Sequence, residues 1–238
     1  MTLPCEPKES TARSARERPP HMDSAASVVP GFLFRPVPPV VIGLLGGVAA
    51  GKSTVSGMFA AHGIVVLDAD KMARALTEPP DVVAAIAARF GKGVLDPAGR
   101  LARARLAELV FREPESRSAL EAIIHPRVRA ALVQGVESAL ANGKSVLLDV
   151  PLLLENGPID LCDVCIFVEV SDSTRAQRAK ARGWDEGELA RREASQADLT
   201  LKKSRCAYTI HNDGSLADTS EQVRSILEHL GRTPRPLL

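Results

Sequence analysis

The segment Gly46-Gly47-Val48-Ala49-Ala50-Gly51-Lys52-Ser53 fits the spacing G-x-x-x-x-G-K-[ST] without a mismatch. Glycines let the backbone turn tightly and aim successive N–H groups at phosphate oxygens. A helix opening near Lys52 adds its positive end to the same spot. In such a cradle Lys52 reaches the outer phosphates, the Ser53 hydroxyl is placed to ligate magnesium, and Thr54 adds a contact to an inner phosphate. Gly47, Val48, Ala49, Ala50 and Gly51 supply backbone amides. The chemistry implied is the binding of a nucleotide triphosphate tail.

Three further clusters could act on that tail. Asp68-Ala69-Asp70 puts two carboxylates at the end of an apolar run. One can accept a hydrogen bond from an acceptor hydroxyl and take its proton, and either can bind hydrated magnesium; alternatively, one caps the next helix. Strand-like alternation would point Asp68 and Asp70 the same way. Asp149 ends another apolar run and would either hold a magnesium-bound water or serve as a turn or cap. Arg175, Arg178, Lys180, Arg182, Arg191 and Arg192 form a basic helical stretch interrupted at Gly183. Arg178 and Arg182 are four apart and share a face, as a lid over the β and γ phosphates requires. Arg175 and Arg191 read as solvated charges.

The elements that must hold these groups alternate between strand and helix. Val40–Leu45, Ile64–Leu67, Ser145–Asp149, Val164–Val170 and Ala207–Ile210 are apolar runs suited to strands buried on both faces. Helices are expected from Lys52 to about His62, over most of Lys71 to Asn142, over 173–204 and over 215–230. Breaks are expected at Pro79-Pro80, around Gly91–Gly99, at Pro114 and at Pro126. The expected fold is α/β: a P-loop NTPase three-layer arrangement with a five-stranded parallel sheet, a helical acceptor-binding lobe and a basic helical lid. In this reading the second strand lies beside the first. Residues 39–78, 144–172 and 205–232 form the core, 79–143 the acceptor lobe and 173–204 the lid, all within a domain of 39–233. Residues 1–38, rich in Pro, Ser, Arg and Glu, read as a disordered extension, with Met22 as a candidate start, and 234–238 as a tail.

Composition narrows the function. A net charge of +1 over 238 residues leaves no electrostatic footprint for nucleic acid or an acidic membrane. One Trp and one Tyr argue against a base-stacking single-strand binder. No run is long enough for a membrane span. Cys162-x-x-Cys165 runs into a strand rather than opening a helix, so buried structural thiols are the better reading than redox chemistry, and a reducing cytoplasm fits. No Asn-Lys-x-Asp reads guanine. The pattern suits a small-molecule kinase more than a motor, a switch or a GTPase.

Beyond these separate signals, the chain resembles the dephospho-CoA kinase family from Val41 to about Leu230. The resemblance rests on Ile42–Gly47 with Gly51–Thr54, Val66–Asp70 with Ala73-Arg74, Leu106 through Phe111, and Leu120–Pro126. It continues in Asp149–Glu155, Arg178–Gly183, Arg192, Gln196 and Ile210–Gly214. It implies ATP with magnesium as the donor and dephospho-CoA as the acceptor, and a protein that is monomeric or weakly self-associating. By the same carry-over Asp70 orients and deprotonates the ribose 3′-hydroxyl, while Lys52 and Arg178 stabilise the moving phosphoryl group. Arg182 and Asn212 join the ATP site. Asp68, Arg74, Leu106, His125, Pro151, Leu152 and Glu155 contact the acceptor, and Ser53 and Asp149 the metal. His125, before Pro126, reads equally as a bland helix-end residue. Ala49-Ala50 departs from the Gly-Ser pair usual in the family, Leu45 stands where Thr is common, and Trp184 is a bulky choice after the lid break.

Overall fold

The computed structural model describes residues 39–231 apart from Asn156 and Ser195; the 1–38 and 234–238 expectations lie outside the described residues. Five strands, β1 (Val41–Gly46), β2 (Val65–Asp68), β3 (Val146–Asp149), β4 (Val164–Glu169) and β5 (Tyr208–His211), form one sheet. All of its pairings are parallel. β1 is buried along its whole length, and its side chains divide between two cores. Val41 and Leu45 join one, Ile42 and Leu44 the other. That split is what period-2 alternation dictates for a strand covered on both faces.

The strand order is β2-β3-β1-β4-β5, so the second strand does not neighbour the first. β3 lies between them, pairing Val41 with Val146 on one side and Asp68 with Asp149 on the other. A parallel crossover carries the chain past a neighbouring position, and strand adjacency is only a tendency that this fold does not follow. The consequence is useful chemically: the Asp68 and Asp149 positions stand side by side at the C-terminal ends of adjacent strands.

Helices α1 (Lys52–Ala61) and α9 (Leu216–His229) cover one face, through Val55, Phe59, Val223, Ile226 and Leu227. The other face carries α2 (Ala69–Ala75), α3 (Pro80–Phe90), α4 (Arg103–Arg112) and α5 (Pro114–Ala141). α5 runs 28 residues straight through Pro126, where a break was expected. Its buried residues Ile124, Val128, Leu132 and Val136 recur every fourth position and bind the helix to the core across the proline. Burying four such side chains outweighs the roughly 3 kcal/mol that an interior proline costs. Arg127 also donates from Nη1 to the Ile123 carbonyl at 2.8 Å, supplying a donor in the turn the proline disturbs. Gly135 is where α5 crosses β2, since a Cβ there would stand 2.9 Å from the Leu67 side chain.

After β4 come α6 (Asp172–Ala181), α7 (Glu186–Ala194) and α8 (Leu199–Ser204). Arg175, expected to be solvated, is buried and paired with Asp172 and Glu193, which ties α6 to α7. Arg191 is exposed and pairs with Glu188, as a surface charge should. The Cys162 and Cys165 sulfurs crowd the same point beside Gly43, 2.8 and 3.0 Å from where a Cβ would lie. A hydrogen bond between them pushes the Cys162 thiol up and pulls Cys165 down.

Candidate active site

The cradle forms between β1 and α1. Gly51 caps α1 with φ 89°, and a Cβ there would stand 2.4 Å from Asn212 Nδ2 and 3.1 Å from Arg178 Nη1, so glycine is required on both counts. Ala49 also lies in the left-handed region, at φ 59°. A non-glycine residue there costs on the order of 1 kcal/mol, strain the surrounding loop must hold. The Ala50 carbonyl is gripped twice, by Arg178 Nη1 at 3.1 Å and by Asn212 Nδ2 at 2.8 Å. The Thr219 hydroxyl donates to Asn212 Oδ1 at 3.1 Å and fixes that amide. Arg178 donates as well to the Asn212 carbonyl at 2.7 Å. Together these turn the loop's carbonyl away from the space its amides address.

Lys52 folds back on the loop, donating from Nζ to the carbonyls of Gly46 and Gly47 at 3.1 and 3.0 Å. Burial lowers its ammonium to about 8; Asp149 pulls the other way and Lys202 adds to the depression. Asp149 is pushed up by burial, against the opposing pull of Lys52 and the Ser56 hydroxyl.

A cleft of about 890 Å³ opens above the cradle. Val48 through Ser53 line its floor, with Asp68, Asp70, Arg74 and Asp149 on one side and Pro151 and Leu152 beside them. Arg191 and Arg192 come in from α7, and Arg182, Trp184 and Gln196 from the loops on either side of it. Asp68 and Asp70 do not alternate along a strand, because β2 ends at Asp68. Asp68 caps α2, accepting from Lys71 N at 3.0 Å, and pairs with Lys71 Nζ at 3.1 Å. Asp70 lies in the first turn of α2, exposed to the cleft and without a hydrogen bond or ion pair among the described residues.

Several expected site residues lie elsewhere. Leu106 is buried in the core cluster that α4 shares with α5 and the sheet. His125 is exposed on α5 and does not line the cleft. Glu155 accepts from Ala197 N at 2.6 Å and from Lys202 Nζ at 2.9 Å, and Lys202 reaches Gln196 Oε1 at 2.8 Å. Burial would raise the Glu155 carboxyl, but these donors outweigh it and hold it below its usual range. Glu155 thus anchors the segment from Ala197 to Lys202, just after α7 and into α8. Arg178 and Asn212 lie under the cradle rather than in the cleft, and Gly47 and Thr54 are also absent from the cleft wall. The cleft adds Lys71, Arg117 and Glu188, which sequence reading left unassigned, and Val110 and Phe111, which it named only within the resemblance to the family's acceptor-lobe helices. Arg117 sits just past Pro114, where only the start of α5 was legible.

Residues 40–218 match the sequence profile of the dephospho-CoA kinase (CoaE) family. The chain belongs to the dephospho-CoA kinase family. A dephospho-CoA kinase of Geobacillus kaustophilus is 40% identical over 192 residues, covering 79% of this chain and 96% of the relative. One from Thermobifida fusca is 40% identical over 193 residues, covering 80% and 96%. The crystal structure of TT1252 from Thermus thermophilus matches with a TM-score of 0.66 at 33% identity, over 81% of this chain and 98% of that one. A dephospho-CoA kinase from Campylobacter jejuni matches with a TM-score of 0.61 at 21% identity, over 80% and 96%, which shows a shared fold. As a member of this family the chain is an ATP-dependent kinase with dephospho-CoA kinase function.

Proposed function

We propose that this dephospho-CoA kinase transfers the ATP γ-phosphoryl group to the ribose 3′-hydroxyl through Lys52 and Asp70. The observation that carries the reading is that the Lys52 ammonium and the unpaired Asp70 carboxylate line one cleft. Asp70 accepts the hydroxyl's hydrogen bond, aligns the oxygen with the γ-phosphorus and takes its proton as the bond forms. Lys52 leaves the loop carbonyls for the outer phosphate oxygens. Arg182, Arg191 and Arg192 close from the lid to offset charge on the transferring group. Arg178 is a positioning residue: its bonds to the Ala50 and Asn212 carbonyls keep the cradle amides aimed at phosphate.

Among the described residues no group of three His, Cys, Asp or Glu could hold a metal alone. That suits magnesium, which keeps its waters and arrives on phosphates with one or two protein oxygens. Ser53, exposed at the start of α1, and Asp149, beside Lys52, are the residues that would hold it. When bound it neutralises charge on the β and γ phosphates.

No helix among the described residues is long and apolar enough to cross a membrane. Free thiols at Cys162, Cys165 and Cys206 favour a reducing cytoplasm. The proposal has the enzyme acting there as a monomer or weak homo-oligomer, without nucleic acid. The deciding experiment is ADP release from ATP with dephospho-CoA as acceptor, in the wild type and variants. Lys52→Ala should abolish turnover, and Asp70→Asn should lower it by about a hundredfold or more with ATP affinity kept. If Asp68→Asn proves the more damaging carboxylate change, the base is misassigned.

A further inference from the structure

Phe111 is 87% exposed, the most exposed large apolar side chain among the described residues, and it lies at the end of α4 on the wall of the cleft. It belongs to neither core cluster. A lone exposed apolar residue needs no explanation. One that walls a cleft, beside Val110 and with Lys71, Arg74 and Arg117 in the same lining, does.

The acceptor's shape supplies the reason. With its 3′-hydroxyl at Asp70, the ribose carries the 5′-diphosphate off one side and the adenine off C1′, away from the diphosphate. Arg74 lies four residues beyond Asp70 on α2, hence on the same face and about 6 Å along the axis. That is close to the reach from the 3′-oxygen across the sugar to the 5′-phosphate. The Arg74 guanidinium has no hydrogen-bond or ion-pair partner among the described residues. Arg117 pairs at 3.1 Å with Glu121, and the two side chains are 69% and 42% exposed. Such a pair contributes little and is readily exchanged for a phosphate.

The base then needs a flat apolar neighbour. The aromatic rings in the cleft lining are Phe111 and Trp184. Trp184 already has Arg182 and Arg192 over its ring, at 5.5 and 4.3 Å from the centroid, on the lid. Phe111 stands on α4, in the helical lobe that also carries Arg117. We propose that Phe111 is a specificity-determining residue that stacks on the adenine of dephospho-CoA while Arg74 and Arg117 hold its diphosphate. This rests on the acceptor and Asp70 assignments above. It extends them by naming what recognises the base.

The test is steady-state kinetics and calorimetric binding of dephospho-CoA to the full chain, comparing wild type with Phe111→Ala, Phe111→Leu and Phe111→Tyr. Loss of a base–aromatic stack should raise KM and Kd for dephospho-CoA about ten- to hundredfold in the Ala variant. KM for ATP should stay unchanged and kcat should stay within about twofold. Tyr should restore wild-type values, and Leu should not. Since Phe111 supports no core, all three variants should melt with the wild type. A wild-type KM for dephospho-CoA in Phe111→Ala would overturn the proposal. So would full rescue by Leu, or an effect confined to ATP. A wild type that fails to phosphorylate dephospho-CoA would instead sink the underlying reading.

Discussion

The Lys52 ammonium sits among carbonyls and desolvated groups, so the protein holds it at about 8 rather than its ordinary 10.5. The folded state releases this proton before the unfolded chain does, so raising the pH from about 8 to 10.5 adds stability to the unliganded fold. Activity runs the other way, because only the charged form attracts a phosphate. We expect kcat/KM for ATP to fall towards tenfold per pH unit above about 8, while kcat, which reports the phosphate-bound complex, holds to higher pH. A kcat/KM profile flat to pH 10 would show that Lys52 is not the cation that receives ATP. This residue was the most legible in the sequence, because a cradle needs its lysine at one fixed spacing. Asp70 was legible as one of a pair. The geometry separates the two carboxylates by giving Asp68 a helix to cap and a lysine to bind. Phe111 was legible as the end of the Leu106–Phe111 stretch that resembles the family, but not as a wall of the cleft. An aromatic at the end of an amphipathic helix looks like core until its neighbours are known.

At the scale of elements, α6 is tied to α7 by charge. Arg175 keeps only 11% of its side chain exposed, and its Nε is buried without a partner. Its carboxylate partners are Glu193 on α7 and Asp172, which is 92% exposed. Removing Glu193 should leave a buried guanidinium poorly compensated. Glu193→Ala is expected to cost about 2–3 kcal/mol in denaturant unfolding and to loosen α7. A loss below about 0.5 kcal/mol would mean that α7 docks by other means. A basic run in a sequence gives no sign of which charge turns inward, because that depends on where a carboxylate eighteen positions away folds back. The same holds for α5. Pro126 reads as a stop signal locally, and only packing along both sides of it keeps the helix continuous. Strand order was hidden for a related reason, since alternation sets strand identity but not which neighbour a strand takes.

Over the whole molecule, the described chain is a sheet whose C-terminal edge carries a cleft walled from two directions, by α4 and α5 with Phe111 and Arg117 and by the stretch between α6 and α7 with Trp184. Trp184 is the sole tryptophan, and Arg182 and Arg192 lie against its ring. Nucleotide should draw those guanidiniums off the indole and onto phosphate. A saturable change in tryptophan emission with ATP, weakened in Lys52→Ala, is therefore expected; an emission spectrum indifferent to ATP would count against lid closure over the triphosphate. Helix α5 links the first of these walls to the far end of the sheet. From its close crossing at Gly135 to Arg117 it spans 18 residues, or roughly 27 Å of rod. A tilt of about 5° at that fulcrum would swing the arginine by roughly 2 Å. The spacing between α5 and Leu67, the residue just before Asp68 in the cleft wall, thereby acts as a lever on how wide the cleft stands at Arg117.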